Sequence, residues 1–215
     1  MHIADGVLSA PVWMSGFAAT AVLAAITTRN MDNEEIPKVS VVASAFFVAT
    51  LIHFPVGATS IHLILNGLIG IVLGVRAFPA ILLGLALQAI IFQHGGVSVI
   101  GINAVMIGGG ALVAYGAWLM RKKIALPASI KPYQRDVAFG ALAGAIGIIS
   151  SGVVLALALA TSGEAFWAAA QFVFWYHIPL MLIEGAVAGA CVGFLLRVKP
   201  SVLSDYQPPN GETPR

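Results

Sequence analysis

Long apolar runs follow one another along almost the whole chain, and they dictate the fold class. A helix crosses the hydrocarbon core of a bilayer with roughly 20 apolar residues, or fewer where neighbouring helices enclose it. Runs of that kind fall at about 11–29, 39–54, 60–77, 79–93, 101–120, 136–160 and 176–198. Turn-forming stretches separate them: NMDNEEIPK at 30–38, FPVGATS at 54–60, Phe78-Pro79, HGG at 94–96 and the basic segment at 121–136. With 59% hydrophobic and 9% charged residues, the chain lacks the polar surface to coat a soluble domain. The expected fold is an all-α integral membrane protein of about seven transmembrane helices. Residues 1–10 form an N-terminal segment, 11–198 the bundle, and 199–215, polar and proline-rich, a disordered cytoplasmic tail. Segment 164–175 reads as an interfacial helix or as part of the last span.

The basic residues set the orientation. With seven spans, Arg29, Lys38, Arg76, Arg121, Lys122, Lys123, Lys131, Arg135, Arg197, Lys199 and Arg215 all fall on one side. The positive-inside rule makes that side cytoplasmic, placing the N-terminus outside and the C-terminus inside. Trp13, Trp167, Trp175 and Tyr176 then sit near the outer interface, where amphipathic rings are favoured. A lone cysteine, Cys191, rules out an internal disulfide and reads as helix packing.

On the same topology all five histidines gather towards the outer face: His2 ahead of the first span, His53, His62, His94 and His177 at span ends. The opening MHIADG is the most suggestive of these placements. It has no basic leader region, and histidine at the second position protects the initiator methionine from removal, so a free amine is expected on Met1. That amine, the His2 backbone nitrogen and the His2 imidazole can close two chelate rings on one ion. Such a planar nitrogen set suits nickel or copper, with cobalt a further guest, and leaves one corner open. His62, where a Pro- and Gly-containing loop is expected to turn into a helix, is expected to offer an imidazole to the outer mouth of the bundle. Because amine and imidazole titrate near about 7.7–8.0 and 6.5, loading is expected to weaken as pH falls.

These residues resemble a known family. MHIADG followed by VLS, HFPVGATSIHLILNGLIGIVLG at 53–74, QAIIFQHGGVSVIGINAVMIG at 88–108 and HIPLMLIEGAVAGACVGF at 177–194 are similar to the CbiM/NikM substrate-capture subunits (S components) of energy-coupling factor transporters for cobalt and nickel. The resemblance runs from Met1 to about Arg197, with Ala4 and Ile61 departing from the family pattern. It implies metal ligation by the Met1 amine, the His2 amide and imidazole, and the His62 imidazole. It also implies that Co2+ or Ni2+ is cargo, with no resident cofactor and no enzymatic activity in this chain. The implied partners are a CbiQ/NikQ-like coupling subunit, a CbiO/NikO-like ATPase pair and a small CbiN/NikN-like accessory subunit. The chain carries no G-x-x-x-x-G-K-[ST] phosphate loop, so ATP falls to a partner.

Other residues are assigned supporting roles. Asp5, His53, His94, Asn103, His177 and Glu184 are candidates for orienting the ligands or lining a metal pathway. Glu184 is the acidic residue deepest in an apolar run, where a charge is costly unless paired. Asn66 and Gln88 read as interhelical hydrogen-bonding residues, and Gly67, Gly70 and Gly74 as close-packing positions. Gly16, Thr20, Ala21, Ala24 and Ala25 form small-residue steps on the first span that suit docking of a partner helix or packing within the bundle. A proton-coupled metal carrier using Glu184, and a haem protein pairing His53 with His177, are the alternatives from other classes. A hydrolase is disfavoured because H-E-x-x-H is absent.

Overall fold

The computed structural model describes residues 2–206 except 52, 53, 57, 58, 62, 126 and 128, with backbone alone at 54–56, 59–61, 173, 174 and 176. Seven α-helices occur among the described residues: α1 (Ala10–Thr28), α2 (Ile36–Thr50), α3 (Asn66–Leu73), α4 (Ala77–Phe92), α5 (Ile100–Leu119), α6 (Pro132–Ala160) and α7 (Trp167–Val198). Proline in the first turn starts α1, α2 and α6, where its missing N–H has no partner to lose. Helix α5 sits at the centre, touching α1, α3, α4 and α6, and its Met106, Ile107 and Trp118 are fully buried. The protein is a multi-pass membrane protein, and the outward faces of its helices are correspondingly apolar, with Val22, Ile26, Ile90 and Leu182 exposed.

The helices alternate in direction. Arg76, just ahead of α4, donates to the carbonyls of Thr27, Arg29 and Asn30 at the end of α1 and pairs with Glu35 ahead of α2. Lys38, at the start of α2, donates to the carbonyl of Val72 at the end of α3 and to that of Val202 beyond α7. Arg121, after α5, pairs with Asp136 at the start of α6 and with Asp205. The described basic residues therefore share one end of the bundle. The opposite end holds residues 2–9 and the loops at 93–99 and 161–166.

Three expectations need correction. The expected span at 60–77 is not one helix. Phe54–Val56 (β1) and Thr59–Ile61 (β2) pair as an antiparallel hairpin, and the helix begins only at Asn66. Proline, glycine and β-branched residues at 55–61 favour extended chain over helix, and apolar character alone does not reveal that. Helix α3 is 8 residues long, about 12 Å. A turn at Gly74, with φ 58°, then reverses the chain into α4.

Second, of the two readings of 164–175, the interfacial helix gives way to the one that joins it to the last span. Glu164–Phe166 is a 3-10 turn, and Trp167 opens α7, which continues for 32 residues. Third, the expected tail is ordered through Tyr206. Leu203 is buried with Trp118, Phe139 and Val192, Ser204 donates its backbone N–H to the carbonyl of Ile71, and Trp118 donates its indole N–H to Asp205. Residues 207–215 lie outside the described residues.

Asp205 is the anchor of this strap. Its carboxylate stands 2.6 Å from the Arg121 guanidinium and 3.0 Å from Lys122 Nζ. Burial alone would raise its pKa. Hydrogen bonds from Trp118, Lys122 and Arg121, with the Arg121 charge, outweigh that and hold it below the usual carboxylate range. A lowered native pKa means that the stabilisation is fully present above the unfolded value of about 3.9 and is lost as pH falls through the lower native one. Asp205→Asn leaves Arg121 buried without its main counter-charge and is expected to cost about 3 kcal/mol. Thermal unfolding in detergent should show the loss at pH 7, with the gap between variant and wild type closing only in strong acid.

Candidate metal site

At the end opposite the basic loops, the first residues of the chain fold back into the bundle. Asn103, in the first turn of α5, holds Ile3 by two hydrogen bonds: Ile3 donates its N–H to Asn103 Oδ1 at 2.9 Å, and Asn103 Nδ2 donates to the Ile3 carbonyl at 3.1 Å. A primary amide is the side chain that can satisfy both backbone groups of one residue at once. Ile3 and His2 are 1% and 4% exposed, so the segment is buried as core. Asp5 accepts hydrogen bonds from the backbone N–H of Ser98, at 3.1 Å, and from its hydroxyl. This is a turn-stabilising role, and its partner Ser98 carried no signal in the sequence.

The loop that receives this segment is built around left-handed backbone. Gln93, Gly95 and Gly96 have φ of 52°, 81° and 103°. A Cβ on Gly96 would lie 2.0 Å from the Asp5 carboxyl carbon, so glycine is needed here both for conformation and for the approach of Asp5. The loop turns His94 towards His2. His94 Nε2 stands 3.1 Å from His2 Nδ1, and the rings lie at 71° with centroids 4.5 Å apart. The His94 backbone N–H is held by the carbonyl of Gln88, which is buried and donates through its side chain to Thr50 at the end of α2.

Glu184, on α7 and 1% exposed, accepts hydrogen bonds from the backbone N–H groups of Ile64 and Leu65; the Leu65 bonds measure 3.1 and 2.9 Å to its two oxygens. It caps the half-length α3 and fixes the backbone at Ile64 and Leu65. Next to it, Asn66 donates to the carbonyls of Ile107 and Gly147 and to Ser151 Oγ. Asn66 and Gln88 thus make the interhelical bonds anticipated for them. Ser151 was not anticipated.

Met1, His53 and His62 lie outside the described residues. Among the described residues, His2, Asp5, His94 and Asn103 are gathered around one loop, and no three His, Cys, Asp or Glu side chains form a ready metal shell. His177 is placed on α7 with its ring against Gly152 of α6. The small-residue face is corrected in part. Gly16 packs on the backbone of Ile102, Gly101 packs on Phe17, and Thr20 donates to the Gly101 carbonyl at 2.7 Å, so Gly16 and Thr20 are committed to α5. Ala21 and Ala25 are exposed and Ala24 half-buried.

Comparison with known proteins places this geometry in a family. Residues 2–202 match the family described as CbiM, cobalt uptake substrate-specific transmembrane region. A protein from Haemophilus influenzae is 32% identical over 205 residues, covering 95% of this chain and 97% of the relative. The fused nickel transport protein NikMN of Rhodobacter capsulatus is 29% identical, over 97% of this chain and 65% of that protein. The cobalt transport protein CbiM of Kyrpidia tusciae is 28% identical, over 95% and 86%. A crystal structure of a transition metal transporter shares the fold, with a TM-score of 0.78 and 22% identity over 92% of this chain and 93% of that one.

Two substitutions separate the supports of the site. Asn103→Ala strips both partners from Ile3 and should free residues 2–5 by about 1–3 kcal/mol while the bundle persists. Hydrogen exchange at the Ile3 amide, read by mass spectrometry in detergent, is expected to quicken accordingly. Glu184→Ala leaves two buried amides without acceptors and should lower bundle stability by about 3 kcal/mol, with Glu184→Gln falling between it and wild type in the same unfolding assay.

Proposed function

The chain belongs to the CbiM family of cobalt-uptake substrate-specific transmembrane regions, and from that premise we propose that it captures Ni2+ or Co2+ at the end opposite its basic loops for energy-driven import. Its family is a membrane component of cobalt and nickel transport. In the reading advanced here the ligands are the Met1 amine, the His2 amide and imidazole, and the His62 imidazole. The observation that carries it is the burial of His2 and Ile3 in a segment that Asn103 grips through the Ile3 backbone. An exposed terminal tail has no reason to be held this way, whereas a chelating terminus must be held in one geometry to select its ion. Glu184 supports the second half of the set by anchoring the residues that follow His62.

The segregation of basic residues to one end makes that end cytoplasmic under the positive-inside rule, so the ion enters from outside. Import then needs partners. The Rhodobacter relative joins an N portion to its M portion, and a relative from Methanocorpusculum labreanum carries the name CbiMQ, which supports association of this chain with an accessory N and a coupling Q subunit. A pair of cytoplasmic ATPases completes the proposed complex. The exposed Ala21 and Ala25 on α1 give a partner helix a surface that allows close approach. Glu184, occupied by two backbone amides, is built as a structural acceptor, which disfavours the proton-carrier alternative.

The test is metal binding by the purified full-length protein with its native terminus. One extra residue before Met1 moves the amine out of chelate reach, and His62→Ala removes the fourth corner. Each change is expected to weaken Ni2+ and Co2+ binding by at least 100-fold in equilibrium dialysis, with unchanged thermal stability of the metal-free protein. Normal binding by the extended protein would sink the assignment.

A further inference from the structure

The cationic side chains at the basic end of the bundle fall into two sets. Arg76, Arg121, Lys122 and Arg135 are paired with Glu35, Asp136 or Asp205, and Lys38 is held by the carbonyls of Val72 and Val202. Arg29, Lys123, Lys131, Arg197 and Lys199 pair with no carboxylate among the described residues. Within this second set the structure fixes Arg197, which stands in the last turn of α7. Its guanidinium carbon lies 4.8 Å over the ring of Tyr133, the second residue of α6.

The platform under Arg197 is itself braced. The Tyr133 hydroxyl donates to the carbonyl of Gly193 at 3.4 Å, and a Cβ on Gly193 would stand 2.9 Å from that hydroxyl, so glycine makes room for the ring between the two helices. Stacking uses the face of a guanidinium and leaves its edge, where the N–H donors lie, turned away from the ring. Arg197 is exposed, so those donors are open to a ligand. Lys131, at the N-cap of α6 and two residues before Tyr133, is exposed as well and adds a second positive charge to the same edge. Asp136, the acid nearest in sequence, is already shared by Arg121 and Arg135.

A planar fork of donors with no counter-charge suits a phosphate, which it grips through two oxygens at once. The surroundings select the kind of phosphate. Phe194 and Val198, neighbours of Arg197 on α7, are 62% and 64% exposed. A cationic fork beside an apolar surface at the end of a membrane span matches the two halves of a phospholipid, whereas a free phosphate would make no use of Phe194 and Val198. We propose that the basic edge where α6 meets α7 binds the headgroup of an anionic phospholipid through Arg197, stacked on Tyr133, and Lys131, with the acyl chains along Phe194 and Val198. A lipid held there anchors the α6–α7 pair in the leaflet at the basic end.

The purified full-length protein is titrated in detergent with phosphatidylglycerol and, separately, with zwitterionic phosphatidylcholine, and bound lipid is counted by native mass spectrometry. Wild type is expected to prefer phosphatidylglycerol by about tenfold or more, since each basic residue beside an anionic headgroup contributes a factor of about five. Arg197→Gln should cut that preference about fivefold. Tyr133→Leu, which keeps every charge and removes the platform, should cut it about threefold. Arg29→Gln removes an exposed cation at the same end, on α1, and should leave the preference within about a factor of two. Absence of any preference in wild type overturns the proposal without reference to a variant and leaves the patch to an acidic protein. An equal loss in Arg29→Gln and Arg197→Gln overturns it in favour of diffuse attraction to the basic end. Inorganic phosphate that abolishes the preference, where chloride of the same ionic strength does not, overturns it in favour of a free phosphate.

Discussion

In a bilayer every backbone N–H and C=O must find its partner within the protein, and the third crossing of this bundle violates the simplest way of doing so. Its chain arrives as a hairpin and becomes helical only at Asn66, which leaves amides at 64 and 65 without helical acceptors. The Glu184 carboxylate supplies them. A carboxylate is the right group for this, because its two oxygens accept several N–H bonds at once, and converging amide dipoles stabilise the charge that burial penalises. Asn66 then ties the first helical turn to α5 and α6, and Gly67 lets α3 lie against Gly144 so closely that a Cβ would stand 2.5 Å from its Cα. Remove the carboxylate and the amides at 64 and 65 are left at membrane depth without an acceptor.

The two ends of the bundle are built on opposite electrostatic plans. At one end guanidinium and ammonium groups are neutralised by Glu35, Asp136 and Asp205 and by helix C-terminal carbonyls, which favour positive charge. The strap at 200–206 joins that network and buttons the ends of α2, α3 and α5 together. At the other end there are few full charges, and order comes from amide and imidazole groups that bond backbone directly. On the proposed capture reading, a cation approaching that end meets nitrogen donors, with Asp5 already engaged by Ser98. On that reading selection rests on shape and donor type, not on attraction to bulk negative charge.

The helices themselves were legible because hydrophobic runs and proline starts are local signals. The break in the third crossing was not. Residues 60–77 are mostly apolar, the Pro, Gly and β-branched residues that keep the chain extended lie at its start, and the carboxylate that accepts from the unwound amides is more than a hundred residues away. The Gly16–Thr20 stripe was ambiguous in principle, since small residues permit close approach by any helix, and only the packing on Ile102 and Gly101 shows which one arrives. The tail misled for a related reason. Pro200 and the polar residues after it look like a disordered end, but Leu203 and Asp205 each meet a partner on α5 that composition cannot show. At the candidate site the positive-inside rule gathers His2 and His94 at one end, and Asn103 stands out as a polar residue inside an apolar run. Ser98 and Ser151 could not be named, since a serine carries no signal until its partner is known.

Under the proposed chelate, the way the terminus is held also constrains how an ion can leave. A chelate that uses the backbone nitrogen of His2 binds through the main chain, so the ion cannot be released by rotating one side chain. The segment must move, and what opposes its movement is concentrated in Asn103, Gly95 and Gly96, all on the loop into α5 or on α5 itself. Helix α5 is also the element that reaches, at its far end, the Arg121–Asp205 network and the strap. A partner that displaced α5 from the basic end would loosen the Asn103 grip at the other, provided the helix moves as a rigid rod. Its 20 residues are packed on α1 through Gly16 and Gly101 and on α3 through Gly70, contacts that leave little room for bending. The same tight packing that fixes the site thus gives it a mechanical connection to the opposite face.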